Sequence, residues 1–153
     1  RGNSLLVTAT PEGSQLATRA MADVPLGIFG KPDLYRGFKA KMETSLGNLR
    51  EYVKSRTQQG KRLAGYGAGG RGVITMAASV EPGEMAYLVD KTPAFHGYFT
   101  PVSHMPVDSP NRLRTDPVDE VMVDSFGYFK EISEELADVR ASGTRLTSLL
   151  DVL

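Results

Sequence analysis

An α/β fold with a mostly parallel sheet in three layers is what this sequence predicts, and three observations carry it. Short apolar runs rich in strand formers alternate with segments of helical periodicity. A glycine-rich stretch, GYGAGGRG at 65–72, stands where a strand should hand over to a helix. An acid, Asp90, ends the next apolar run.

The elements follow in order, within one expected domain over 1–153. A leading strand and loop occupy 1–32: SLLVTAT (4–10) reads as a strand stopped by Pro11, and the rest, with Pro25, Pro32 and several glycines, reads as loop. A long helix is expected over 33–59, where Leu34, Phe38, Met42, Leu46, Leu49 and Val53 recur at steps of three or four and form one apolar stripe. Gly37 and Gly47 weaken it, and Gly60 is placed to stop it. From 62 to 153 the pattern is that of a nucleotide-binding core. RLAGYG is a short buried strand and GVITMAAS an apolar helix opening. MAYLVD (85–90) is a second strand, followed by a Pro-rich loop from 91 to 117. DEVMVDS (119–125) is a third strand. YFKEISEELADVRAS (128–142) is one amphipathic helix with Phe129, Ile132, Leu136 and Val139 inward, ended by Gly143. TRLTSLLDV is the last strand. This cadence suits parallel strands joined by right-handed crossovers.

Composition narrows the function. The 18 basic and 18 acidic residues cancel, with no long run of either sign, which argues against a nucleic-acid or membrane-surface partner. The chain has no cysteine, so disulfides and thiolate metal sites are excluded, and a cytoplasmic location is expected. No apolar run approaches the roughly 20 residues of a membrane span. The opening RGNSLLVTAT has neither a signal-peptide core nor an initiating Met, which suggests a piece of something longer.

The glycine stretch is the sharpest signal. Gly65, Gly67 and Gly70 satisfy G-x-G-x-x-G between a strand and a helix. In a Rossmann-like fold the first glycine allows the turn, the second lets a pyrophosphate approach the backbone, and the third lets helix and strand pack closely. The helix then offers unpaired N–H groups and a partial positive charge to an anion, and Arg71 adds a guanidinium. Asp90 lies 20 residues beyond Gly70, the usual offset for an acid that holds ribose hydroxyls. The same features also suit a tight βα turn that binds nothing.

At this point a family resemblance emerges. KRLAGYGAGGRG followed by AYLVDKTPAFHGYFTPVSHMPV resembles the C-terminal domain of S-adenosylmethionine-dependent C-methyltransferases that act on nucleotide-linked deoxysugars. That family's pattern is approximately GYGAPAKG, a strand ending VVD, then N-P-x-K-x-G-x-x-x-P-G-T-H-I-P, then a strand ending Trp-Asn and a helix with Glu-Ile. This chain keeps Gly65, Tyr66, Gly67, Ala68 and Gly72, then Asp90, Pro93, Gly97, Pro101, His104 and Pro106, and the pair Glu131-Ile132. GNSLLV resembles the family's G-G-S-L-R-V strand. The chain departs from the pattern at Gly69-Gly70-Arg71 for Pro-Ala-Lys, at Phe95 for lysine with His96 beside it, and at Ser125-Phe126 for Trp-Asn.

The resemblance implies a Rossmann-like domain that helps hold the nucleotide-sugar acceptor. It implies an upstream methyl-donor domain that binds S-adenosylmethionine, with a zinc module and a Tyr-x-Glu-His segment also upstream. On that reading this chain is the acceptor-binding portion, inactive by itself, with no cofactor of its own and no metal. The expected substrate-binding set is Gly65, Tyr66, Gly67, Ala68, Gly69, Gly70, Arg71, Gly72, Asp90, His96 and His104. Within it the amides of 67–72 and Arg71 take the diphosphate, Asp90 takes hydroxyls, and His104 lines the pocket. No catalytic residue is expected.

Other candidates read as structure. His96 and His104 lack the acid cluster a metal site needs, and each serves equally well as a loop anchor with a backbone partner. Tyr98 and Phe99 suit either stacking on a ligand or pinning the long loop. Glu134-Glu135 falls on the solvent side of its helix, and Asp119-Glu120 immediately precedes a buried strand. The charges from Lys31 to Arg62 are interleaved like those of a solvated face. Ser103-His104 has no nucleophile elbow around it. Two alternative functions stand beside the main one: an NAD-binding module of an oxidoreductase, and a non-catalytic interaction domain that keeps the fold without the pocket.

Overall fold

The computed structural model describes Gly27 and residues 30–153, so the expected strand at 4–10 and most of the leading loop lie outside the described residues. The chain divides into two compact units, Arg1–Ala40 and Lys41–Leu153. Helix α1 (Pro32–Gln58) opens in the first unit, where Arg36 pairs with Asp33 one turn earlier. It closes in the second unit with Gly60 at φ +74°, where Gly60 N–H reaches Thr57 O and Lys61 N–H reaches Arg56 O. That pair of bonds is a Schellman stop, and it needs the left-handed backbone that glycine supplies.

The second unit is built on a five-stranded, all-parallel sheet in the order β3-β2-β1-β4-β5. Its strands are β1 (Leu63–Tyr66), β2 (Tyr87–Val89), β3 (Val107–Asp108), β4 (Glu120–Val123) and β5 (Arg145–Ser148). Every residue of β1, β2 and β4 is buried, as expected where helices cover both faces. Side chains alternate between two cores. Leu63, Leu88 and Met122 face Leu49 and Val53 of α1 and Met76 of α2 (Gly70–Ser79). Ala64, Tyr66, Tyr87, Val89, Val121 and Val123 face Leu113 of α3 (Arg112–Thr115), Ile132 of α4 (Phe129–Glu135) and Val139 of α5 (Ala137–Ala141). The three expected layers are present.

Four local expectations need correcting. The apolar stripe on α1 is covered only toward its end: Leu49 and Val53 are buried, Leu46 is half-buried, and Leu34, Phe38 and Met42 are exposed. The loop 91–117 is not structureless. It contains a 3-10 turn at Pro93–Phe95, a bridge from Phe99 to Pro106, β3 and α3. The helix expected over 128–142 breaks at Leu136 (φ −96°, ψ +24°) into α4 and α5, with Leu136 itself fully buried at the break. β5 stops at Ser148 and passes into a 3-10 turn over Leu149–Asp151.

At the N-terminal ends of the strands, Glu120 is completely buried yet fully partnered. It accepts from Tyr52 Oη at 2.6 Å and Arg56 Nε at 2.7 Å on α1, and also from the Thr147 hydroxyl. Burial alone would raise the carboxyl's pKa. The hydrogen bonds from Thr147, Tyr52 and Arg56 outweigh it and hold the group below its ordinary range. This network fastens the last turns of α1 to the sheet.

Candidate functional site: the glycine turn at the sheet's switch point

Strands β2 and β4 flank β1 on opposite sides, so the crossovers leave β1 in opposite directions. Ligands of open α/β sheets bind in the crevice this creates at the strands' C-terminal ends. The glycine stretch lies there, between β1 and α2.

Its glycines have distinct duties. Gly65 is inside β1, and a Cβ there would stand 2.1 Å from Leu88 Cδ2, so the neighbouring side chain fills its place. Gly67 makes the turn at φ +120°, a conformation that demands glycine, and a Cβ would also fall 2.9 Å from Ser125 Oγ. Close helix packing is the duty of Gly72, not of Gly70. A Cβ on Gly72 would meet Gly67 O at 2.6 Å and Asp124 Oδ2 at 2.7 Å, whereas Gly69 and Gly70 have open space around them.

The amides of the turn divide into two groups. Gly67 N–H is bonded to Val89 O at 2.8 Å and Ala68 N–H to Asp90 Oδ2 at 2.7 Å, so these two are already taken by the protein. Gly69 is the N-cap of α2 and its carbonyl receives the first helical bond, from Val73. Among the described residues the N–H groups of Gly69, Gly70 and Gly72 have no acceptor, and Gly69, Gly70 and Arg71 are exposed. The positive end of a ten-residue helix is therefore presented at the crevice.

Asp90 is a hub of the turn. Besides Ala68 it receives Thr92 N–H on Oδ1 at 2.8 Å, and its own carbonyl accepts from His96 Nε2–H at 2.8 Å. The structure thus links Ala68, Asp90 and His96, with His96 in the anchoring role. The Tyr66 ring packs into the core below, and its hydroxyl donates to Glu135 Oε2 at 3.3 Å, itself paired with Lys91 at 2.5 Å. Burial, then the Glu135 charge, pushes the Tyr66 phenol well above its usual range. His104 lies apart from these bonds, exposed in the tight turn 100–105 with φ +51°. That turn is tied by Thr100 Oγ1 to Ser103 Oγ at 2.8 Å and to Met105 N–H at 2.9 Å. Val102, standing where the family pattern carries glycine, is also left-handed at φ +65°.

Sequence reasoning missed Asp124. It follows β4 directly, its N–H bonded to Tyr66 O at 2.9 Å, and its side chain lies beneath the turn, with Cβ against Gly67 and the carboxyl against Gly72. Only 8% of it is exposed, and neither carboxyl oxygen has a hydrogen-bond partner. Burial, the sole cause, pushes its pKa well above the ordinary carboxylate value. The available signal was an acid ending a buried apolar strand on the far side of the switch point from the glycines.

A surface depression of about 320 Å³ lined by Arg62, Asp119 and Thr144 lies at the opposite, N-terminal edge of the sheet. Its charges are spent on one another: Arg62 pairs with Asp116 at 2.5 Å and Lys61 with Asp119 at 3.0 Å. Among the described residues no cluster of His, Cys, Asp and Glu could hold a metal ion, and no helix is long and apolar enough to cross a membrane.

Comparison with known proteins identifies the family. The family model of the C-methyltransferase C-terminal domain matches residues 4–150. The chain belongs to that family. It is 28% identical over 151 residues to the C-methyltransferase NovU of Streptomyces niveus, covering 94% of this chain and 36% of that protein. The chain therefore spans about a third of its relative's length. Among solved structures, UDP-D-quinovosamine 4-dehydrogenase from Vibrio fischeri is similar at a TM-score of 0.42 and 18% identity, over 57% of this chain and 76% of that one.

Proposed function

We propose that this C-methyltransferase C-terminal domain binds the acceptor substrate, a nucleotide-linked sugar, through its diphosphate. The observation that carries the reading is the set of acceptor-free amides on Gly69, Gly70 and Gly72 at the head of α2, in the crevice where the strand order reverses. Aligned N–H groups and the helix end favour a dianion there without further charge. Arg71 stands within the same turn and supplies a guanidinium to the phosphate rim. Gly67 and Ala68 contribute the turn's shape and not its amides. Asp90, although bonded to two amides, keeps lone pairs for a ribose or sugar hydroxyl. His104 reaches the ligand from the turn 100–105.

S-adenosylmethionine supplies the methyl group in the whole enzyme when bound. The head of α2 favours a diphosphate over this cofactor, whose reactive sulfonium is a cation and whose single carboxylate is balanced by its own ammonium. This domain's share of the reaction is positioning, holding the acceptor carbon for chemistry performed by other parts of the enzyme.

The test is calorimetric titration with nucleoside diphosphate sugars, NAD and S-adenosylmethionine. Binding of a nucleotide-sugar alone is expected, with Arg71→Ala weakening it by about 1.5–3 kcal/mol, the range of a charged hydrogen bond. Preferential NAD binding would favour an oxidoreductase module. Binding of none would leave an interaction domain.

A further inference from the structure

We propose that Asp124 is the positioning residue of this anion site, a carboxyl group enclosed beneath the glycine turn that sets whether the first amides of α2 can receive a diphosphate. The inference rests on the reading above. The backbone bond to Tyr66 O carries Asp124 to the point where β1 and β4 part. There its Cβ lies 3.3 Å from where a side chain on Gly67 would begin, and its Oδ2 lies 2.7 Å from where one on Gly72 would begin. Gly72 thus leaves room for this carboxyl and Gly67 for the carbon that bears it, and the residue is more than nine-tenths buried with both oxygens unpartnered.

An isolated carboxylate in such a place is unstable unless a donor or cation meets it. No side chain of the neighbouring elements supplies one, and the Gly72 amide beside it makes no hydrogen bond to it. Tyr66 on β1 turns its hydroxyl to Glu135, and Asp90 after β2 is itself an acid engaged with Ala68 and Thr92. No hydrogen bond joins Arg71 of α2 or the Ser125 hydroxyl to either carboxyl oxygen. The group therefore holds its proton, consistent with its strongly raised pKa. A neutral acid leaves the positive end of α2 uncompensated and open to a ligand anion. An ionised one would place a negative charge directly behind the same amides. Proton and anion are then coupled ligands, each strengthening the other.

The experiment follows the side-chain carboxyl resonance of Asp124 in carbon-13-labelled protein, assigned with Asp124→Asn, from pH 5 upward. UDP-glucose serves as the probe, since its phosphates stay ionised throughout. The free protein should show a protonated Asp124 at pH 7, and saturating UDP-glucose should move its midpoint upward. A shift of about one unit corresponds to about tenfold weaker binding to the ionised form. In Asp124→Asn, which is neutral at every pH, the decline of affinity at higher pH should disappear. An ionised Asp124 at pH 7, or a midpoint that bound UDP-glucose leaves in place, would overturn this proposal while leaving the diphosphate site intact. Failure of the wild-type protein to bind UDP-glucose or any other nucleoside diphosphate sugar would overturn both.

Discussion

Replacing Gly72 with alanine, and separately Gly70, tests which glycine of the turn carries the packing. The spacing G-x-G-x-x-G points to Gly70; the structure points to Gly72. A methyl group on Gly72 would stand 2.6 Å from Gly67 O and 2.7 Å from Asp124 Oδ2, well inside ordinary contact. Gly67 O cannot retreat freely, because Gly67 N–H is held to Val89 O at 2.8 Å, and Asp124, anchored to Tyr66 O at 2.9 Å, keeps its Cβ 3.1 Å from the same methyl. Overpacking of this kind costs about 1–3 kcal/mol, against a return of up to about 1 kcal/mol from the better helix former. A net loss of about 1–2 kcal/mol is expected for Gly72→Ala. At Gly70 an added methyl meets no heavy atom within 4 Å. Stiffening the unfolded chain there should stabilise by about 0.4–1 kcal/mol. The two variants should therefore differ by about 2 kcal/mol in urea unfolding followed by circular dichroism, and by roughly 6 °C in Tm. If Gly72→Ala proves as stable as Gly70→Ala, the packing assignment is wrong, and so is the geometry that encloses Asp124.

Three other expectations can be checked alongside. Arg56→Met leaves buried Glu120 without its hydrogen-bonded cation, with only Arg145 at 3.8 Å remaining, and should destabilise by about 3 kcal/mol. Because the Glu120 pKa is depressed, the network's stabilisation is complete above the ordinary Glu range and is lost as pH falls through the lower folded value. Acid unfolding of Arg56→Met should therefore begin at higher pH than in the parent. Val102→Gly relieves a left-handed β-branched residue worth about 1–2 kcal/mol, against a glycine entropy cost of about 0.5–1 kcal/mol. A gain of about 0.5–1 kcal/mol should appear in thermal melts, and Val102→Ala should not reproduce it. Amide hydrogen exchange should find Ala68 protected and Gly69 and Gly70 rapid, with those two slowing when a nucleotide-sugar is added. In Asp90→Asn, Ala68 should exchange faster because its charged acceptor is gone.

How far the sequence can be read depended on what decides each feature. β1, β2 and β4 were legible as short apolar runs bounded by loop formers, β5 followed from the strand-forming stretch after Gly143, and Gly60 and Gly143 marked helix ends that both close with left-handed glycines. β3 was not legible: it is two residues long, pairs only with β2, and sits between Pro106 and the Ser109-Pro110 turn. The break at Leu136 has no glycine or proline to announce it, since both halves bury their apolar residues against the same face. The site was half legible. Spacing located the glycine turn and Asp90, yet which amides remain available depended on Val89 and Asp90 folding back onto Gly67 and Ala68. Asp124 was invisible because an acid's burial is settled by what covers it, here a helix start laid across it through Gly72.

The hold that Tyr52 and Arg56 keep on Glu120 has a consequence for where this domain begins. A shortened chain starting near Arg62 would retain all five strands of the sheet, yet it would carry an ionised glutamate in its interior with only Thr147 and the largely exposed Arg145, 3.8 Å away, to answer it. The closing turns of α1 are thus as much a part of the sheet's foundation as the strands themselves. A boundary drawn by sheet topology alone would cut through it.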